Sequence, residues 1–193
     1  MGKAGDAKEK TLTAAARLFT RQGYHGTALH DILEAGGAPR GSLYFHFPNG
    51  KEEIGEATVA LAAQSVRAFI AQSIDASATL PAFLMQLVRG MAANLERSDY
   101  RDGCPIATTA LETAAQSDIL GRATRHAFAA WEQEIKRGLV RFGMKAGEAE
   151  RTATAILSQL EGALLLARTY RSLEPMRRAE KAVLLLARSK LPK

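Results

Sequence analysis

Two adjacent glycines, Gly36 and Gly37, separate two short helical patterns near the N-terminus and constrain the chain more than any other feature. Before them, Leu29, Ile32 and Leu33 recur at helical spacing and share one face of a short helix. Glycine tolerates the left-handed backbone that ends a helix, so the pair predicts a tight turn at this point. The sequence therefore predicts a helix, a glycine turn and a second helix.

The segment after the turn predicts a second short helix with mixed side chains. Pro39 suits the first helical position, where a missing N–H costs nothing. Leu43 and Phe47 are four residues apart and are expected to face inward. Thr27 is expected to cap the first helix through its hydroxyl. Two short helices joined by a tight turn are typical of a helix-turn-helix, whose second helix lies in the major groove of DNA.

The polar residues of this segment suit contact with duplex DNA. Arg40 can pair with a guanine edge or a phosphate, and Gly41 lets the backbone approach the groove wall. Hydroxyl and imidazole donors suit phosphates. The residues expected to contact DNA are Thr27, Pro39, Arg40, Gly41, Ser42, Tyr44, His46 and Lys51. From periodicity alone, the alternative is a helical hairpin whose polar residues face solvent.

The run from Phe19 to Glu53 resembles the TetR family of transcriptional regulators. The motifs that carry the resemblance are Gly-Tyr-His-Gly-Thr at 23–27, Asp-Ile at 31–32, Gly-Ser-Leu-Tyr-Phe-His-Phe at 41–47 and Lys-Glu-Glu at 51–53. A second stretch, Gly-Cys-Pro-Ile-Ala at 103–107 with Leu-Glu at 111–112, resembles the LmrA/YxaF branch of that family. Ala38 stands where many relatives place a hydroxyl that caps the recognition helix.

The charge distribution favours an anionic partner for the N-terminal segment. The chain has a net charge of +6, with 47% hydrophobic and 24% charged residues, ordinary values for a globular protein. Residues 1–51 hold 7 Lys or Arg against 4 Asp or Glu, and residues 168–193 hold 8 against 2. A basic N-terminal segment suits DNA, whereas the basic C-terminus is equally well explained as the solvated face of a terminal helix.

Several classes of protein are disfavoured by what the sequence lacks. No apolar run approaches the roughly 20 residues that span a bilayer, and the N-terminus has no signal-peptide core. The single Cys104 excludes an intramolecular disulfide framework. The four histidines are scattered, and no nucleophile–base pair is visible. We therefore expect a cytoplasmic protein that is not an enzyme, with no catalytic residues, metal, cofactor or membrane partner.

Beyond residue 50 the sequence predicts only helices. The helix that begins near Lys51 is long, and from about residue 78 the chain consists of Ala- and Leu-rich helical segments without a strand pattern. We predict an all-α fold of about nine helices. A three-helix helix-turn-helix DNA-binding domain is expected over residues 1–50, and a helical ligand-binding and dimerisation domain over 51–193.

The middle helices predict a candidate effector site. Ligand pockets are mostly apolar with a few placed polar groups, and the TetR resemblance implies a small hydrophobic or amphipathic effector between these helices. The residues expected to line the site are Phe83, Leu87, Met91, Cys104, Ile106, Leu111, Phe128, Trp131 and Gln159. The alternative is an ordinary core, because apolar residues at helical spacing usually form one.

The last two helical segments are apolar on more than one face, so they require burial on several sides. We expect a second copy of the chain to cover one side, and the resemblance implies the same, through a four-helix bundle. The expected interface residues are Leu157, Leu160, Leu164, Val183 and Leu186. The alternative is an intramolecular core.

Together these patterns predict a homodimeric repressor that a small hydrophobic effector releases from double-stranded operator DNA. One alternative is a constitutive DNA-binding regulator without an effector. Another is a redox sensor, because Cys104 precedes Pro105 at a predicted helix N-terminus, where a thiolate is favoured. The competing interpretation of Cys104 is a small buried hydrophobe.

Overall fold

The computed structural model is helical throughout the residues that it describes, 3–37 and 40–188, with side chains described for 7–37 and 43–188. The helices of these ranges are α1 (Lys3–Gln22), α2 (Leu29–Gly36), α3 (Arg40–His46), α4 (Lys51–Asp75), α5 (Leu80–Arg97), α6 (Pro105–Thr113), α7 (Asp118–Arg141), α8 (Ala146–Tyr170) and α9 (Glu174–Arg188). The predicted all-α fold is confirmed. None of the described helices combines the length and the hydropathy needed to cross a bilayer.

The chain divides into two compact units, each built from two separate segments. The N-terminal unit consists of Met1–Gln64 and Cys104–Ala127, and the C-terminal unit of Ser65–Gly103 and Phe128–Lys193. Helix α6 and the first part of α7 therefore belong with the helix-turn-helix segment. The functional domains predicted over 1–50 and 51–193 remain a prediction.

Apolar residues of the first four helices form the core of the helix-turn-helix. Its fully buried members are Ala15, Phe19, Ile32, Leu43, Phe47 and Ile54. Half-buried residues packed against them include Leu12, Leu29 and Leu33. Burial of side chains of this size stabilises by about 1.5–3 kcal/mol each relative to exposure, so this cluster fixes how α3 is presented.

The turn between α2 and α3 follows the glycine prediction, whereas the start of α2 does not follow the Thr27 prediction. Gly37 has a φ of 61° and ends α2 in the left-handed conformation, with its N–H donating to the Glu34 carbonyl at 3.2 Å. The N-cap is Ala28, whose backbone N–H donates to Asp31 Oδ2 at 2.8 Å. Thr27 as N-cap is therefore wrong, because its buried hydroxyl donates instead to the Gly23 carbonyl at 2.8 Å.

In the C-terminal unit, α8 packs against α9, and α5 packs against both. The three helices contribute buried apolar residues to the core of this unit, among them Leu84, Leu87, Ile156, Leu160 and Val183. Two ion pairs join the unit's parts of α4 and α7: Arg67 Nε lies 3.4 Å from Glu134 Oε2, and Arg141 Nη1 lies 2.6 Å from Asp75 Oδ1. Most of these side chains are largely exposed, so each pair contributes only a little to stability.

Candidate nucleic-acid interface

Helix α3 has one buried face and one strongly exposed face. Leu43 and Phe47 are each only 1% exposed, whereas Tyr44 is 60% exposed and Phe45 is 79% exposed. His46 is half-buried, with its ring edge-on to Phe45 at 5.1 Å and to Phe47 at 6.5 Å between centroids. The inward pair thus holds the helix to the core while two aromatic side chains and an imidazole remain at its surface.

The remaining predicted DNA contacts of this segment are only partly described. Pro39 lies outside the described residues. Arg40, Gly41 and Ser42 form the first turn of α3, and their side chains lie outside the described ones. The structure therefore shows that these three residues are helical but not where their side chains point.

Lys51, the first residue of α4, has its ammonium engaged within the N-terminal unit. Its Nζ lies 4.4 Å from the centroid of the Tyr24 ring, a cation–π distance. Burial lowers the pKa of Lys51 below its usual value, while the carboxylates of Glu112 and Asp31 act in the opposite direction. For Tyr24, whose charged form is an anion, burial raises the pKa, and the neighbouring Glu52 carboxylate raises it further. Lys51 thus brings a half-buried charge to this site.

A carboxylate from α6 holds the loop between α1 and α2. Glu112 Oε2 accepts a hydrogen bond from the backbone N–H of His25 at 2.7 Å. Its other oxygen lies so close to Gly23 that a Cβ there would come within 2.0 Å of it, and Gly23 has a φ of 84°. In addition, Ser117 donates a hydrogen bond to Glu52 at the start of α4. The sequence analysis names Glu112 only as part of the branch motif and misses its contact with His25, which lies 87 residues away.

Cations of α1 add to the positive charge near α3. Lys8 Nζ lies 5.7 Å from the centroid of the Phe47 ring, which places it beside the end of α3. Arg17 and Arg21, farther along α1, are exposed. Cations distributed in this way suit a polyanion, because phosphate neutralisation by Lys and Arg supplies most of the non-specific affinity for DNA.

Comparison with known proteins identifies the architecture. Residues 12–58 match the bacterial regulatory proteins of the tetR family, and residues 82–182 match the C-terminal domain of LmrA/YxaF-like transcriptional regulators. The HTH-type transcriptional regulator YxaF of Bacillus subtilis is 35% identical over 190 residues, which is 98% of this chain and 100% of YxaF. The chain belongs to the TetR family.

Other members agree with this assignment. The HTH-type transcriptional regulator LmrA of Bacillus subtilis is 32% identical over 89% of this chain and 92% of its own length. The crystal structure of a TetR transcriptional regulator from Chloroflexus aurantiacus is 29% identical, with a TM-score of 0.81 over 95% of this chain and 94% of that one. The chain is therefore a DNA-binding transcriptional regulator of the LmrA/YxaF-like branch, and its relatives are regulators rather than enzymes.

The predicted effector residues of this TetR-family member are divided between its two units. In the C-terminal unit, Phe83, Leu87 and Trp131 are buried, and the rings of Phe128 and Trp131 meet edge-on at 5.5 Å between centroids. Met91, Phe128 and Gln159 are half-buried. In the N-terminal unit, Cys104 and Ile106 are buried, whereas Leu111 is 84% exposed. Leu111 therefore faces solvent rather than the interior of its unit.

An open cleft of about 510 Å³ lies in the N-terminal unit, between α1 and the end of α2. Its lining is mixed polar and apolar and consists of Glu9, Lys10, Thr13, Ala14, Arg17, Ala35 and Gly36. The predicted effector residues are absent from this lining.

The predicted dimer residues are mostly buried within the chain itself. Leu157, Leu160, Leu164 and Val183 are all buried in the C-terminal unit, and only Leu186 is exposed. The exposed large apolar residues of α8 and α9 are Leu165, Leu166, Tyr170, Leu185 and Leu186. We call these five residues the α8/α9 apolar face. Sequence reasoning missed most of it by one or two positions, because a continuous leucine run does not reveal which leucine faces outward.

Cys104 is the N-cap of α6. Its buried Sγ accepts from the backbone N–H of Ala107 at 3.4 Å. Within the described part of the chain, no three His, Cys, Asp or Glu side chains are grouped so that they could hold a metal ion.

Proposed function

We propose that this TetR-family regulator is a homodimeric repressor whose affinity for operator DNA falls when a small hydrophobic or amphipathic molecule binds to it. The observation that carries the proposal is the exposed aromatic and imidazole face of α3, held on a fully buried Leu43–Phe47 pair. A dimer bound at a promoter blocks polymerase by occupancy. The protein would act in the cytoplasm, where bacterial operator DNA is found.

The proposed DNA contacts divide into phosphate and base contacts. Tyr44 and His46 would donate to phosphates, and Arg40 would contact a guanine edge or a phosphate. Pro39, Gly41 and Ser42 would bring the first turn of α3 close to the groove. Lys51 would add charge while it remains stacked on Tyr24. Thr27 would contribute only by ordering the loop, since its hydroxyl is buried and already donates to Gly23.

The α8/α9 apolar face supports dimerisation. Five large apolar side chains lie exposed on two helices that pack against each other. Exposed large apolar side chains concentrated on one pair of helices favour an interface, and helix-turn-helix proteins usually bind two half-sites as dimers. The buried residues Leu157, Leu160 and Leu164 would support these side chains from beneath.

The half-buried residues of the C-terminal unit support an effector site. Phe128, whose ring meets that of buried Trp131, is half-buried, as are Met91 and Gln159. Together they offer aromatic, flexible and amide side chains, which is the mixture that small-molecule sites use. Binding releases DNA only if the molecule prefers a conformation with weaker DNA affinity. The LmrA/YxaF-like branch gives no name for the effector.

The dimer proposal is tested by charge insertion on the apolar face. We expect Leu185→Asp to convert a dimer into monomers in sedimentation equilibrium. It should also abolish tight binding to an operator duplex that the wild-type protein selects from a random library. Val140→Asp, at an exposed apolar position of α7, is the matched control and should remain dimeric. A Leu185→Asp protein that stays dimeric would remove α9 from the interface.

The effector proposal is tested through the fluorescence of Trp131, the chain's one tryptophan. A panel of hydrophobic drugs is titrated against the protein and against its DNA complex. A compound that changes Trp131 emission and also releases the duplex supports the proposal. Operator binding that no compound in the panel releases supports the constitutive alternative. Peroxide treatment tests the Cys104 alternative, which fails if DNA affinity is unchanged.

A further inference from the structure

Phe45 projects from the centre of the outward face of α3. Helix geometry places successive residues about 100° apart, so the direction midway between buried Leu43 and Phe47 lies roughly opposite to Phe45. Its 79% exposure agrees with this position. A single exposed apolar residue is common on protein surfaces, but Phe45 differs in its central position on α3 and in its contact with His46.

The Phe45 ring is braced by its neighbours. His46 meets it edge-on, with 5.1 Å between centroids and an interplanar angle of 78°. His46 in turn meets the buried ring of Phe47 at 6.5 Å and 66°. The three side chains thus connect the exposed Phe45 ring to the core. Because the ring is already held, binding to DNA would cost it less conformational entropy than it would cost a freely rotating side chain.

The chemistry of Phe45 limits what it can recognise in DNA. Its side chain has no hydrogen-bond donor or acceptor. Among the groups that base pairs present in the major groove, the C5-methyl of thymine is the apolar one. Gly41 lies one turn earlier on the same side of α3 and has no side chain to keep the helix away from the groove.

We propose that Phe45 is a specificity-determining residue that contacts the C5-methyl group of one thymine in each operator half-site. The proposal rests on the proposed insertion of α3 into the major groove. The neighbouring Tyr44 and His46 are hydrogen-bonding groups suited to phosphates, so they would position the helix while Phe45 distinguishes thymine from cytosine.

The test removes single methyl groups from DNA. The wild-type protein selects an operator from a random duplex library, and each thymine of one half-site is then replaced by deoxyuridine, which keeps the base pairing. We expect one position at which deoxyuridine weakens wild-type binding about fourfold, the effect of withdrawing one buried methyl-sized group. Phe45→Ala should lose affinity for the thymine operator and become insensitive to deoxyuridine at that position.

Tyr44→Phe is the matched control on the same helix. It should weaken binding to all sequences but keep the deoxyuridine effect, because it leaves the Phe45 ring in place. Phe45→Ala is expected to fold, since the side chain is mostly exposed, and circular dichroism checks this. The inference is overturned if Phe45→Ala retains the wild-type deoxyuridine pattern, or if no thymine is sensitive. Failure of the wild-type protein to select any sequence would instead overturn the proposed insertion of α3.

Discussion

Removing the Glu112 carboxylate should loosen the α1–α2 loop without disturbing α6. The carboxylate accepts from the His25 N–H at 2.7 Å, and its other oxygen packs against Gly23. Hydrogen bonds to charged groups contribute about 1.5–3 kcal/mol. This one lies near solvent, where water competes and screening is strong. We therefore expect Glu112→Ala to cost about 1 kcal/mol, and Glu112→Gln, which keeps an acceptor, to cost about half of that.

Two measurements check this expectation. Urea unfolding at fixed protein concentration gives the change in free energy of unfolding, and hydrogen exchange gives the protection of the His25 amide. A loss of about 1 kcal/mol corresponds to roughly fivefold faster exchange through local opening. Leu111→Ala is the control, because the neighbouring side chain is 84% exposed and should have little effect on either measurement.

If Glu112→Ala leaves both the His25 exchange rate and the unfolding free energy unchanged, the contact contributes nothing in solution. If Leu111→Ala has the same effect as Glu112→Ala, the loss comes from α6 itself and not from the loop.

Two further predictions concern single backbone and hydroxyl groups. Gly37→Ala should cost about 1 kcal/mol, because φ is 61° and no atom of the described residues outside its immediate neighbours lies near enough to clash, which leaves backbone strain as the cause. Thermal unfolding measures this against Gly147→Ala, at a helical position with free space and no positive φ, which should lose no stability. Thr58→Val should gain about 1 kcal/mol in urea unfolding, because the buried Thr58 hydroxyl has no hydrogen-bond partner among the described residues. Thr11→Val should show no such gain, because its buried hydroxyl donates to the Ala7 carbonyl.

The fold of the N-terminal helices could be predicted because local signals and core pattern agree. The spacing of Leu43 and Phe47 identified the inward face of α3, and both are fully buried. Gly37 ended α2 as expected. The start of α2 was missed because a side chain three residues into the helix, Asp31, reaches back to cap it, whereas the preceding Thr27 bonds to an earlier carbonyl.

Other features had no signal in the sequence. The Glu112–His25 contact joins a side chain to a backbone N–H, and any residue except proline offers such a donor. The sequence could not show which face of α8 is exposed, because Leu164, Leu165 and Leu166 are chemically equivalent. Packing against the neighbouring helices buries the first and leaves the other two exposed.

The discontinuous N-terminal unit also bears on how operator preference can change among relatives. The segment that carries the helix-turn-helix shares one compact body with Cys104–Ala127, which supplies Glu112 and Ser117 to its loop and to α4. A recombination event that exchanged only the first 50 codons would set a foreign α1–α2 loop against Glu112, which lies too close to Gly23 to leave room for a Cβ there. We therefore expect new operator preferences in this branch to be inherited through point substitutions on α3, at positions such as Phe45, more often than through exchange of N-terminal gene segments.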